Sequence, residues 1–321
     1  MPAGSFEPES ATFVSTQRGW LLEARGNGTA QRVLTTRDGG RSWSLVGAAP
    51  ALADVESPAT LRFADAQHGF LFERSQLYVT GDGGAHWSAA APPGRPVQDL
   101  ATWGGRVYVI AQRLDDPNGS FGIFSAPVAA PAAWIADPLH LALGAGPVPE
   151  VRFTVAQGHA WIVDNDRVVG DGARQMANGG WQSWRPPCYG KGGAVQLAAS
   201  TASDVVALCD EGAWTGPGPV VNAIYTSHDG GATSVRRVAP ENGYVASPSP
   251  QVAIIGGGRL WRTTDDGATW HQVLNAGAVV PDSSMQELGF TTSTQGYVIT
   301  SRSGMFMTYD AGATWTRVVA P

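Results

Sequence analysis

Thr36-Arg37-Asp38-Gly39-Gly40-Arg41-Ser42-Trp43 decides the fold of this chain, because the octet returns. It recurs as Thr80-Gly-Asp82-Gly-Gly84-Ala-His86-Trp87, Ser227-His-Asp229-Gly-Gly231-Ala-Thr233-Ser234, Thr263-Thr-Asp265-Asp-Gly267-Ala-Thr269-Trp270 and Thr308-Tyr-Asp310-Ala-Gly312-Ala-Thr314-Trp315. Successive aspartates lie 44, 147, 36 and 45 positions apart, and 147 is three steps of 49. Two copies in the middle have therefore lost their signature, which makes seven units of about 46 residues in a chain of 321. That period matches a four-stranded propeller blade of about 40–50 residues.

A second landmark precedes each octet, a turn followed by an aromatic strand: Gly19-Trp20, Gly69-Phe70, Gly105 with Tyr108, Gly158 with Trp161, and Gly296-Tyr297. Two of these fall in the silent stretch. Each unit reads as strand, turn, strand, loop, strand, octet, strand, with the first unit's strands near 11–15, 19–23, 32–36 and 42–46. Composition agrees, since 41 Gly and 22 Pro argue against long helices, while 43% hydrophobic residues and 12 Trp supply a core. The expected architecture is all-β: one seven-bladed β-propeller of four-stranded antiparallel blades. The blades fall at about 11–50, 59–94, 96–143, 149–190, 193–240, 243–277 and 283–321.

The octets resemble the Asp-box, or BNR, repeat, Ser/Thr-x-Asp-x-Gly-x-Thr-Trp. It occurs in propellers such as sialidases, xyloglucanases, sortilin-type receptors and the photosystem II stability/assembly factor group. The fuller phrase, Ala11-Thr-Phe13-Val-Ser15 followed by Gly19-Trp20, looks most like that last group of WD40/YVTN/BNR-like repeat proteins. The resemblance spans the chain and implies the fold more strongly than any activity, because the repeat occurs in hydrolases, receptors and scaffolds alike.

In each octet an aspartate is expected to accept hydrogen bonds from backbone N–H groups two or three residues on, and a glycine to supply positive φ. The indole is expected to cover the seam between layers. Asp38, Gly40, Trp43, Asp82, Gly84, Trp87, Asp229, Gly231, Asp265, Gly267, Trp270, Asp310, Gly312 and Trp315 are thus structural, since five copies around a ring do not converge on one site. Ser234 replaces a tryptophan, which predicts a thinner outer layer in blade 5. Blade 3 replaces its octet with 125–131 ending at Trp134, and blade 4 is expected to make a longer hairpin over 171–184.

Function in repeat folds resides on variable loops held by a regular frame. The octets are assigned to the bottom face, and the links between blades and the second-to-third strand loops to the top. The long top-face insertions are 111–121, 136–150, 185–193 and 209–221. They nominate Arg113, Asp116, Tyr189, Glu211 and Trp214 as ligand contacts, with Asp116 and Glu211 as weak candidates for a catalytic carboxylate pair. Cys188 and Cys209 reach the top face at adjacent blades, where they either form a disulfide or stay as two buried thiols. A disulfide would imply an oxidising, extracytoplasmic setting.

The six histidines have no metal-ligand spacing, and neither a G-x-S-x-G elbow nor a phosphate loop occurs, so no metal or cofactor is expected. The chain carries net charge −6, with Lys191 its sole lysine, and has no polybasic stripe for nucleic acid. No apolar run is long enough to span a bilayer. Arg95-Pro96 and Arg185-Pro186 lack the residue that completes a sialidase Arg-Ile-Pro motif. The chain is expected to close its ring by packing whole blades, with Phe6 adding a short outer segment, and that seam is expected to open first. The functional expectation is a non-enzymatic, monomeric scaffold, secreted, periplasmic or anchored at the cell surface of a high-GC bacterium, that binds a protein or peptide on its top face. The alternative is a glycan-active propeller, either a glycoside hydrolase or a lectin-like binder.

Overall fold

The computed structural model describes the chain except residues 1–5, 26–29, 53–58, 116–119, 142–150, 165–171, 192, 213–217, 280–283, 303 and 320–321. Its strands form seven four-stranded antiparallel sheets, each built from four consecutive strands in the order first, second, third, fourth. The first strands are Glu7–Phe13, Thr60–Phe63, Val97–Trp103, Val151–Ala156, Val195–Ala199, Tyr244–Ser249 and Met285–Phe290. They stand around a central channel, and one four-residue helix, Ala276–Val279, interrupts the pattern.

The core follows from period-two side-chain alternation in sheets whose two faces are both covered. In Gly19–Arg25, Leu21 packs with blade 7, while Trp20 and Leu22 pack with blade 2. Seven buried clusters result, one at each junction between blades. The turn-aromatic landmark has a partner on the first strand: Phe13, Phe63 and Phe290 stand opposite Gly19, Gly69 and Gly296. A Cβ on each of those glycines would lie within 2.7 Å of the facing ring, so the ring occupies the place of the missing side chain.

The octets work differently from the expectation in one respect. The aspartate reaches four residues ahead: Asp38 Oδ1 accepts from Ser42 N at 2.9 Å, Asp265 Oδ1 from Thr269 N at 2.8 Å, and Asp310 Oδ1 from Thr314 N at 2.9 Å. A nearer bond is made by the leading hydroxyl, since Thr36 Oγ1 donates to Asp38 at 2.8 Å and accepts from Gly40 N at 2.9 Å. The residue after each aspartate has positive φ and serves two blades. Its N–H donates to the first hairpin of its own blade, as Gly39 N does to Gln17 O at 2.9 Å. Its carbonyl accepts from the preceding blade: Trp20 Nε1 to Gly83 O (2.9 Å), Arg237 Nη1 to Asp266 O (2.8 Å), Arg262 Nε to Ala311 O (2.8 Å) and Tyr309 Oη to Gly39 O (3.0 Å). The octets and first hairpins therefore share the bottom face.

Three further expectations change. Blade 1 begins at Glu7, and Phe6 leads into its innermost strand, packed against the blade 7 cluster, rather than adding an outer segment. The blade 4 hairpin is shorter than an octet, because Met176 and Gly180 bond across it at 2.8 Å and Gly179 supplies φ of 85°. At blade 5, the place Ser234 leaves empty is filled from blade 4: Trp184 Nε1 donates to Gly231 O at 3.1 Å, and its ring lies where a Gly231 Cβ would point.

Candidate functional site

Two features converge on the top side, and the first is the channel itself. It encloses about 590 Å³. Among its lining residues are Glu9, Arg62, Asp99, Arg152, Gln196 and Glu287, contributed by first strands of six blades. Most of these ions are committed to holding blades together. Glu287 of blade 7 accepts from Ala11 N of blade 1 at 2.9 Å, from Arg62 Nη1 of blade 2 at 3.0 Å and from Tyr297 Oη at 3.2 Å. Asp99 of blade 3 accepts from Leu100 N and, across the seam, from Phe153 N of blade 4, both at 2.8 Å. Burial pushes the Tyr297 phenol well above its ordinary value, with the adjacent Glu287 carboxylate adding to the effect. Tyr297 is therefore a permanent donor.

Two channel residues differ. Arg152 is exposed and has no hydrogen-bond or ion-pair partner among the described residues. Glu9 has its carboxyl raised by burial, an effect that the bond from Gln31 Nε2 at 2.5 Å only partly offsets.

The second feature is a polar cluster on blade 5. Cys188, in the link from blade 4, is bonded to Cys209 on the second strand Val205–Glu211, and both are buried. The bridge fixes the link so that Lys191 Nζ reaches Glu211 at 3.1 Å and Tyr225 Oη at 2.5 Å. Gly193, with φ of 92°, brings the link against Asp210, where a Cβ would meet the backbone oxygen at 1.8 Å. Glu211 also accepts from Tyr225 Oη and from Arg236, whose Nη2 is 2.5 Å away. The Arg236 bond first, then those of Tyr225 and Lys191, hold the Glu211 carboxyl at about 2. Beside it, burial raises Asp210 despite the bond from Asn242.

The nominated residues fare unequally. Tyr189 and Glu211 belong to the segments that the disulfide joins. Tyr189 is 41% exposed, with the Arg185 guanidinium 4.7 Å from its ring centre. Arg113 makes a bidentate pair with Asp115 on its own loop, at 2.9 and 3.0 Å. Asp116 and Trp214 lie outside the described residues. As a carboxylate held ionised by three donors, Glu211 is a poor general acid. Sequence reasoning passed over the channel residues. Their one signal was position: Glu9, Asp99 and Arg152 each stand a few residues ahead of a first-hairpin turn.

The class defined by this fold is a seven-bladed β-propeller whose channel and top rim are polar. Among solved structures, the chain is similar to the photosystem II assembly factor YCF48 bound to D1 peptide, at 17% identity and a TM-score of 0.66, covering 97% of this chain and 95% of that one. It is also similar to YCF48 from Cyanidioschyzon merolae, at 14% identity and a TM-score of 0.63, covering 97% of each chain. The polysaccharide lyase Uly1 is similar at 9% identity and a TM-score of 0.63, over 95% of this chain and 90% of that one. No protein-family model matches the sequence, and no curated protein matches it.

Proposed function

We propose that this chain is a non-enzymatic scaffold acting outside the cytoplasm, which holds a peptide or protein segment across its top face over the channel mouth. The observation that carries this reading is how the carboxylates are used. Glu287 and Asp99 are spent on inter-blade bonds and Glu211 on its three donors, while Arg152 remains open to a ligand. Likeness of fold to a propeller solved with a bound peptide supports the same reading. The Cys188–Cys209 disulfide supports the oxidising setting.

The test is capture of partners on the immobilised chain from an extracytoplasmic extract, repeated with Arg152→Glu plus Tyr189→Ala and with a bottom-face control, Arg41→Glu. Loss of a captured peptide or protein with the top-face pair alone is the expected result. Loss with the control alone sinks the reading. A glycan-active function has one specific observation in its favour, the raised carboxyl of Glu9 at the channel. A screen of polysaccharide cleavage that finds activity in the wild type and none in Glu9→Gln would establish it.

A further inference from the structure

The bottom-face junction between blades 5 and 6 carries a group that no other junction shows among the described residues, an imidazole placed between two carboxylates of different blades. His228, the residue before the octet aspartate of blade 5, has Nδ1 2.6 Å from Asp204 Oδ1 in its own blade's first hairpin. Its Nε2 points across the seam, 3.5 Å from Asp266 Oδ1 of blade 6. That Asp266 oxygen is buried without a hydrogen bond. We propose that His228 is a proton-operated clamp on this seam, closed when the imidazole is charged and slack when it is neutral.

The argument rests on what each ring nitrogen faces. Asp204 also accepts from Thr201 and Ser203, bonds that, with His228, hold its carboxyl low against the effect of burial. It is an ionised acceptor and fixes the remaining proton of a neutral imidazole on Nδ1. Nε2 then presents a lone pair to the Asp266 carboxylate, and two acceptors face each other across the seam. Adding a proton turns that contact into a charge-assisted hydrogen bond and supplies the buried oxygen with a donor.

The other charged groups at this place are already engaged. Arg237 donates to the Asp266 carbonyl at 2.8 Å, and the octet carboxylates of Asp229 and Asp265 are bonded to Thr233 and Thr269. The remaining neighbours, Ser249, Gln251 and Thr264, are neutral. The bottom-face pairs His68–Asp65 and His86–Asp82 lie within one blade and bridge nothing. No group of three or more ligating side chains among the described residues is placed to hold a metal, so the proton is the ligand this geometry fits.

His228 is raised above its ordinary 6.5, by the Asp204 bond first and by the Asp266 charge next. A raised folded-state value means the clamp is fully closed below about pH 6.5 and is lost as pH rises through the folded value. The test follows the His228 ring proton by NMR in the full chain, alongside melting curves between pH 5 and 9 for wild type, His228→Asn and Asp266→Asn. We expect a midpoint above 6.5 that falls by roughly half a unit in Asp266→Asn. We also expect a melting-point advantage of wild type over His228→Asn, about 1–2 °C, that is present at acid pH and closes at alkaline pH. A midpoint at or below 6.5, one unmoved by Asp266→Asn, or an advantage independent of pH overturns the clamp. If Asp266→Asn fails to fold, Asp266→Ser gives the same comparison, and a wild-type midpoint at or below 6.5 overturns the clamp without any variant.

Discussion

At the scale of single residues, the octet is a small hydrogen-bond machine in which the leading Thr or Ser matters as much as the aspartate. Thr263 is buried, donates to Asp265 at 2.7 Å and accepts from Gly267 N at 2.9 Å. Thr263→Val keeps the shape, leaves the buried Gly267 N–H without its acceptor and takes one of three donors from Asp265, so a loss of about 1–3 kcal/mol is expected in chemical denaturation. Thr269→Val, on the exposed side, should cost less. The carboxyls of Asp38, Asp82, Asp229 and Asp265 are held at about 2, chiefly by bonds from the residue four ahead. Folded values below the ordinary 3.8 mean their support is intact above about pH 4 and withdrawn as pH falls toward 2. An acid melt of wild type should therefore steepen in that window. Much of this was legible, because Asp and Gly have few uses in a tight turn. The four-residue reach was not, since it depends on how the returning strand leaves the turn.

At the scale of elements, the sequence marks where strands turn but not which side chain fills which gap. Gly19, Gly69 and Gly296 could be read as turn residues from spacing alone. Their opposition to Phe13, Phe63 and Phe290 emerges only once the hairpins pair in register. The missing tryptophan at Ser234 was read as a thinner layer, but the exposure of Val235 and Val238, 55% and 63%, matches the 59% of Leu45 on a blade that keeps its tryptophan. The adjoining blade supplies Trp184, a substitution between neighbours in space that are 50 positions apart in the chain. Trp184 is buried in the cluster that includes both cysteines. Trp184→Ala should cost about 3–5 kcal/mol, as removal of a large core aromatic does. An exposed tryptophan on the same blade's outer strand would cost far less, so a loss under about 1 kcal/mol for Trp184→Ala would refute its role as a filler.

At the scale of the whole molecule, seven blades were countable because two landmarks recur at blade spacing. The functional rim was far less legible, because loops without a repeat carry no internal reference, and because the channel ions come from five strands distant in sequence. The ring's strength is also distributed differently from the expectation that its closing seam opens first. That junction is held by Glu287 and Tyr297 on Ala11, at 2.9 and 2.8 Å, and by Gln295 and Tyr309 on Gly39, at 3.2 and 3.0 Å. Glu287 also compensates the half-buried Arg62, so removing its carboxylate leaves that guanidinium with only the Ser10 hydroxyl and the Leu61 carbonyl among the described residues. Blades 3 and 4 lack the octet, and with it the carbonyl that receives a side chain from the preceding blade. Their junction relies on Asp99 to Phe153 N and on Trp103 Nε1 to Gln175 at 3.0 Å. Local opening should therefore begin at blades 3 and 4. Native-state hydrogen exchange is expected to show amides of Phe121–Pro127 and Gly172–Gln175 exchanging before those of Gly296–Thr300 and Gly304–Thr308. Glu287→Ala should reverse that order, because the closing seam then loses its bond to Ala11 N while Arg62 of blade 2 loses its carboxylate partner. If the blade 7 strands exchange first in the wild type, the bonds at the closing seam do not govern the opening of the ring.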